Sequence, residues 1–161
     1  MEKEIVPYEL ALRLKNLGFS ELVNYFYSNG GILHPRVLSS GYEPMDFEPS
    51  DFCENFNTNV KYQVGNSYYF ENVISAPTIS QVFRWFRDKQ DMCGYVRRGS
   101  KTMHEHLKKE GFAVRDYEWS IITTEGVYLN CRGMENTYEE AELACIEKLI
   151  EIVESQKEQN D

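Results

Sequence analysis

Three features of the sequence predict an α+β fold: apolar residues at helical spacing in separate segments, short β-prone runs paired across turn dipeptides, and helix-start signals of the T-x-x-E/Q type. With 161 residues, 27 % charged and 42 % hydrophobic, the chain is long enough for one domain with its own core and too short for two of ordinary size. The expectation is a single domain over 1–155. Its antiparallel β-hairpins would form a sheet with two or three helices packed on one face.

"PYELALRLKNLGF" reads as the first helix. Pro7 suits the first helical position, Leu10, Leu14 and Leu17 share a face, Gly18 suits the left-handed cap, and Phe19 supplies the apolar contact common after such a cap. "LVNYFYS-NG-GILH" then reads as two strands joined by a two-residue Asn29-Gly30 turn. From Ser39 to Asn59 the chain is turn-rich, with five acids and no base, and Tyr42, Phe47, Phe52 and Phe56 point to a surface loop pinned by its rings. "KYQV-GN-SYYFE" is a second hairpin.

"SAPTISQVFRWFRDK" is the second helix. Thr78 and Gln81 make a capping box, and Ile79, Val82, Phe83 and Phe86 line one face with Trp85 beside them. "CGYV" comes next as a strand, and "TMHEHLKKEGF" reads as a short third helix ending at Gly111. "DYEWSIITT-EG-VYLNCR" is a third hairpin across Glu125-Gly126, with Trp119 and Ile121 on one face and Ser120 and Ile122 on the other. The last helix starts at a Thr137/Glu140 capping box and loses its apolar pattern after Val153, leaving 156–161 as a frayed tail. The order from 78 to 153 resembles the α-β-β-β-α order of double-stranded RNA-binding domains.

That last helix is apolar on more than one stripe. Tyr138, Ala141, Cys145, Leu149 and Ile152 form one, and Leu143, Ile146, Ile150 and Val153 form a second beside it. The first stripe suits the sheet of the third hairpin. The second needs either the aromatic face of the second helix or a second copy of the chain, so a structural homodimer through Leu143, Ile146 and Ile150 stays open.

A net charge of −9 disfavours non-specific nucleic-acid binding. The charge is uneven, however: residues 84–115 hold nine Lys/Arg against four Asp/Glu, and 134–161 hold two against nine. Cys53, Cys93, Cys131 and Cys145 lack CxxC spacing and read as reduced thiols. No apolar run approaches a membrane span and the N-terminal residues lack a signal-peptide pattern, so a cytoplasmic protein without a membrane partner is expected.

The sequence contains no nucleophile elbow, no papain-like cysteine context and no phosphate-binding glycine loop, so neither an enzyme nor a cofactor is expected. "HEH" at 104–106, with Cys93 or His34, is the one metal-type set. On a helix His104 and His106 point to different sides, and solvent-facing histidines beside Lys108 and Lys109 are expected, with no metal. Two charged surfaces remain as interaction candidates. One is the acidic loop with Tyr42, Glu43, Asp46, Glu48 and Asp51. The other is the basic 97–115 segment with Arg97, Arg98, Lys101, Lys108 and Lys109, next to a Tyr95 suited to stacking on a base. A double-stranded RNA-binding domain carries basic residues where its last helix begins, whereas "TYEEAE" here would repel phosphates.

"ISAPTISQVFRWFRDK" and "YEWSI" with the later "TYEEAELACIEKLIEIV" resemble segments of a group of small uncharacterised proteins of Bacteroidetes phages and prophages. The similarity is strongest over 74–90 and 117–154, with an echo in "EIVPYELALRLKNLGF"; the 39–59 and 97–115 segments depart from the shorter members. The resemblance implies a shared fold and a phage-type accessory protein working in bacterial host cytoplasm. Together with the missing catalytic motifs and the opposed charge patches, it leads to the expectation of a non-enzymatic protein acting by protein-protein interaction, an inhibitor of a host or anti-phage defence protein. The alternative is a nucleic-acid-binding module using residues 97–109.

Overall fold

A computed structural model describes residues 4–28, 31–35, 57, 62–64, 68–70, 73–111 and 114–159, the side chains of 62–64, 68–70, 101–103, 107 and 130 excepted. Helices and antiparallel strands are mixed along the chain, the α+β class that the patterning predicts. They gather into two units, Met1–Gln81 and Val82–Asp161. The acidic-loop residues Tyr42, Glu43, Asp46, Glu48 and Asp51 lie outside the described residues.

In the first unit, α1 (Tyr8–Leu17) buries Ala11, Leu14 and Leu17. Pro7 stands one position earlier than the sequence predicts, at the N-cap with φ −56° and ψ 152°, because an extended ψ cannot continue a helix. Gly18 takes the left-handed cap at φ 94°, and the Phe19 N–H returns to Leu14 O at 2.9 Å with the Phe19 ring buried. β1 (Tyr25–Tyr27) is flanked by β2 (Leu33–Pro35) and by β5 (Ile74–Ser75), a two-residue strand that the sequence reading missed. β3 (Tyr62–Val64) and β4 (Tyr68–Phe70) form the second hairpin as expected, and its turn lies outside the described residues. Ile5, Ala11, Tyr27, Ile74 and Ala76 make a core cluster, and the Tyr27 hydroxyl donates to Val6 O at 2.8 Å. Burial holds the Tyr27 phenol above its ordinary range. Asn57 ties strand to loop, donating to Phe19 O and accepting from the Ser75 N–H, each at 2.8 Å.

α2 (Ile79–Gln90) starts as predicted: Gln81 Oε1 accepts from the Thr78 N–H at 2.9 Å, and Thr78 Oγ1 accepts from the Gln81 N–H at 3.2 Å. A tight connection with Asp91 at φ 55° leads into β6 (Met92–Arg98). Then come α3 (Lys101–Lys109), β7 (Tyr117–Thr123), β8 (Tyr128–Glu135) and α4 (Tyr138–Glu158). The strands form one antiparallel sheet in the order β6-β7-β8. The expected α-β-β-β-α order is therefore present with one helix, α3, inserted after its first strand.

α4 runs along all three strands. α2 meets it over β6 at a position without a side chain: a Cβ on Gly94 would lie 2.5 Å from the Phe83 ring of α2 and 2.8 Å from Cys145 Sγ of α4. Both helices thus share one face of the sheet, above Met92 and the fully buried Ile121. Ala141, Cys145 and Leu149 of one α4 stripe are buried, and so are Ile146, Ile150 and Val153 of the other, with Leu143 half-buried. The second stripe is core, and the homodimer reading loses the surface it required. α4 also continues to Glu158, beyond Val153 and into the segment expected to fray. A Ser155 hydroxyl bonded to Glu151 O and a Lys157 in the last turn accompany the extension.

The β7–β8 hairpin loop differs from the predicted two-residue turn: the Thr123 N–H donates to Val127 O and the Gly126 N–H to Thr123 O, so the loop holds three residues with Gly126 (φ 86°) in the left-handed third position. Between β1 and β2 the predicted Asn29-Gly30 turn lies outside the described residues; beside it the Ser28 N–H donates to Ile32 O and the Gly31 N–H to Ser28 O. Among the described residues no helix is long and apolar enough to cross a membrane.

Gly94→Ala would force two packed side chains apart, so thermal or urea unfolding should report a loss of about 1–3 kcal/mol. Thr137→Ala removes the 3.1 Å capping-box bond that Thr137 Oγ1 accepts from the Glu140 N–H, keeps the backbone N–H that donates to Glu140 Oε2, and should cost about 1 kcal/mol in the same assay. Burial pushes the Cys145 thiol up to about 12. It stays neutral in the folded protein while an unfolded thiol ionises near pH ~8.5, so stability should fall as pH rises through that interval. Mass-mapped labelling with a thiol reagent at mildly alkaline pH should modify half-buried Cys93 and Cys131 first and reach Cys145 only on unfolding.

Candidate functional site

The sheet of the second unit has unlike faces. Opposite the helices, strand alternation and register line up three rungs: Cys93, Ile122 and Tyr128; Tyr95, Ser120 and Arg132; and Arg97, Glu118 and Met134. Tyr95 is 51 % exposed and Tyr128 74 %, values that mark rings standing in solvent rather than packed under another element. Arg97 donates from Nε and Nη2 to Glu118 Oε2 at 3.1 and 3.0 Å. Arg98 and Arg132 are exposed and make no ion pair among the described residues. Arg115 is committed elsewhere, to Glu135 at 3.0 Å and Met134 O at 2.7 Å.

A cleft of about 700 Å³ opens over Tyr95, Ser120, Ile122 and Tyr128. A second, also about 700 Å³, opens over Arg98, Ser100, His104 and Met134. Arg97, Glu118 and Arg132 line both, so the two adjoin along the third rung.

The far end of the groove is shaped by α3. Ser100 is its N-cap and makes no side-chain capping bond, and no acid stands in its first turn. His104 folds back onto Gly99, where a Cβ would collide with the imidazole at Nε2. This overturns the expectation of a solvent-facing His104: the residue is 8 % exposed, while His106 is exposed. Its Nδ1 lies 3.6 Å from Asp116 Oδ1, and its Nε2 is buried without a hydrogen-bond partner.

Of the predicted basic residues, the structure brings Arg97 and Arg98 into this groove and starts α3 with Lys101. Lys108 and Lys109 are exposed in the last turn of α3, about 10 Å along the helix from its start. Sequence reasoning missed Arg132, Glu118 and Tyr128. The signal was the assignment of Ser120 and Ile122 to the face opposite Trp119: carried across the hairpin, it brings Arg132 beside Ser120.

Among the described residues no three His, Cys, Asp or Glu side chains converge. In the first unit His34 Nε2 and Ser28 Oγ are 2.9 Å apart, a nucleophile–base spacing. Ser28 is only 5 % exposed and the Phe26 ring stacks on His34 at 5.2 Å, so the pair ties β1 to β2 beneath a covering side chain. No family model, curated protein or solved structure matches the chain, and the reading of the groove rests on its own chemistry.

Proposed function

We propose that this chain is a non-catalytic binding module that takes single-stranded nucleic acid along the open face of the β6-β7-β8 sheet. The observation that carries the reading is the Tyr95-Ser120-Arg132 rung, with exposed Tyr128 on one side and Arg97 on the other. Aromatic rings offer a stacking face to any base, and arginines beside them track the backbone; that pairing is what sequence-tolerant strand binding requires. The carboxylates at the start of α4 speak against a double-stranded RNA-binding mode, which uses that helix end. They bear less on this face, because α4 packs on the other side of the sheet.

A second reading keeps the phage-type accessory protein that captures a host protein. Tyr128, 74 % exposed, is a large ring standing in solvent at the hairpin end of the same face, of the kind that anchors protein interfaces.

Fluorescence anisotropy of a labelled single-stranded oligonucleotide tests the first reading. Binding should be strong at low salt and weaken steeply as salt rises. Arg97→Glu with Arg132→Glu should abolish it, and Tyr95→Ala should weaken it by roughly fivefold to a hundredfold, the loss of one stacked base. Lys108→Glu with Lys109→Glu should change it little. An oligonucleotide that does not bind even at low salt overturns the reading, and a protein retained from nuclease-treated lysate but lost with Tyr128→Glu would put the second in its stead.

A further inference from the structure

At the α3 end of the groove the side chains change character, from rings to a convergence of groups suited to a compact anion. Arg97, Arg98 and Arg132 line the cleft, with Glu118 the one carboxylate among them, which leaves a net charge of +2. Ser100 adds a hydroxyl that makes no capping bond, at the N-terminus of a nine-residue helix. That helix start has backbone N–H groups with no intrahelical acceptor and a partial positive charge. Independent of these is His104, part of the cleft wall, with its Nε2 buried and unpartnered. A buried polar atom of this kind is costly unless something bonds it.

We infer that this cleft binds a terminal phosphate monoester of a nucleotide. A monoester carries close to two negative charges near neutral pH and three acceptor oxygens, against one charge for a phosphodiester. Two net positive charges, a helix start and a hydroxyl match the monoester better than the diester. Arginine is the side chain whose planar fork binds phosphate oxygens in pairs. The neighbouring Tyr95 and Arg132 rung then receives the attached base and sugar, so that a strand would lie on the sheet with its phosphorylated end against α3. The inference rests on the nucleic-acid reading for the strand. It stands without it for a free mononucleotide.

The test is a set of titrations monitored by anisotropy or calorimetry: oligonucleotides of one sequence bearing a 5′-phosphate, a 3′-phosphate or hydroxyls at both ends, a mononucleotide, and inorganic phosphate. One phosphorylated end should bind roughly tenfold or more tightly than the all-hydroxyl strand. Arg98→Glu, an exposed substitution that should leave the fold intact, should weaken the phosphorylated strand more than the all-hydroxyl strand and so erase that difference. His104→Gln, which keeps a polar group at the buried position, should reduce it. Equal affinity for all three strands overturns the inference and leaves strand binding standing. Arg98-dependent binding of the mononucleotide or inorganic phosphate, with no affinity for the all-hydroxyl strand, supports the cleft and overturns the sheet-face reading. Binding of none of the probes overturns both.

Discussion

The missing side chain at Gly94 is the constraint on which the second unit depends. Phe83 and Cys145 come over this one position of β6 from two different helices, at distances no Cβ would allow. Because both α2 and α4 must approach the same strand from the same side, that side becomes the core, with Met92, Ile121, Ile146 and Ile150 shut from water. Side chains alternate along a strand, so the residues between these are sent to the opposite face. Tyr95, Ser120 and Arg132 are together in the open because Gly94, Ile121 and their neighbours are together inside. The packing of the core and the layout of the groove are two consequences of one register.

The same division separates charge. Exposed Glu139, Glu140 and Glu147 belong to α4, on one side of the sheet, while Arg97 and Arg132 stand on the other. At physiological ionic strength fields between exposed charges fade over about 8 Å, comparable to the width of the helix layer that intervenes. The net charge of −9 therefore describes the molecule as seen from afar and not the potential at its groove. Glu118 moderates that potential without cancelling it, since it holds Arg97 and leaves Arg98 and Arg132 without an ion pair among the described residues.

Helix ends were the most legible part of the fold. The capping boxes at Thr78 and Thr137 and the left-handed Gly18 are made by residues within a few positions of each other, so their chemistry is written in a short stretch of sequence. Strand pairing was less legible. β5 is two residues long and acquires its identity only from β1, and the three-residue β7–β8 loop differs from the two-residue alternative by a ladder position that turn dipeptides do not encode. Of the site, Arg97, Arg98 and Tyr95 were visible as a basic stretch with a ring. Arg132, Glu118 and Tyr128 come from other strands, and His104 was misjudged because nothing local says that a helix will fold back onto Gly99.

The sequence by itself determined the α+β class, the starts of α2 and α4, and the assignment of Trp119 and Ile121 to one face and Ser120 and Ile122 to the other. Each of these rests on caps or periodicity over a handful of residues. Only the tertiary structure decided that Ile146, Ile150 and Val153 of the second α4 stripe are core, that His104 is buried, and that arginines from β6 and β8 share a groove with the start of α3. Those outcomes depend on which segments distant along the chain come to lie side by side. The physical reason is that burial and convergence are properties of pairs of elements, and a periodic pattern describes only one element at a time.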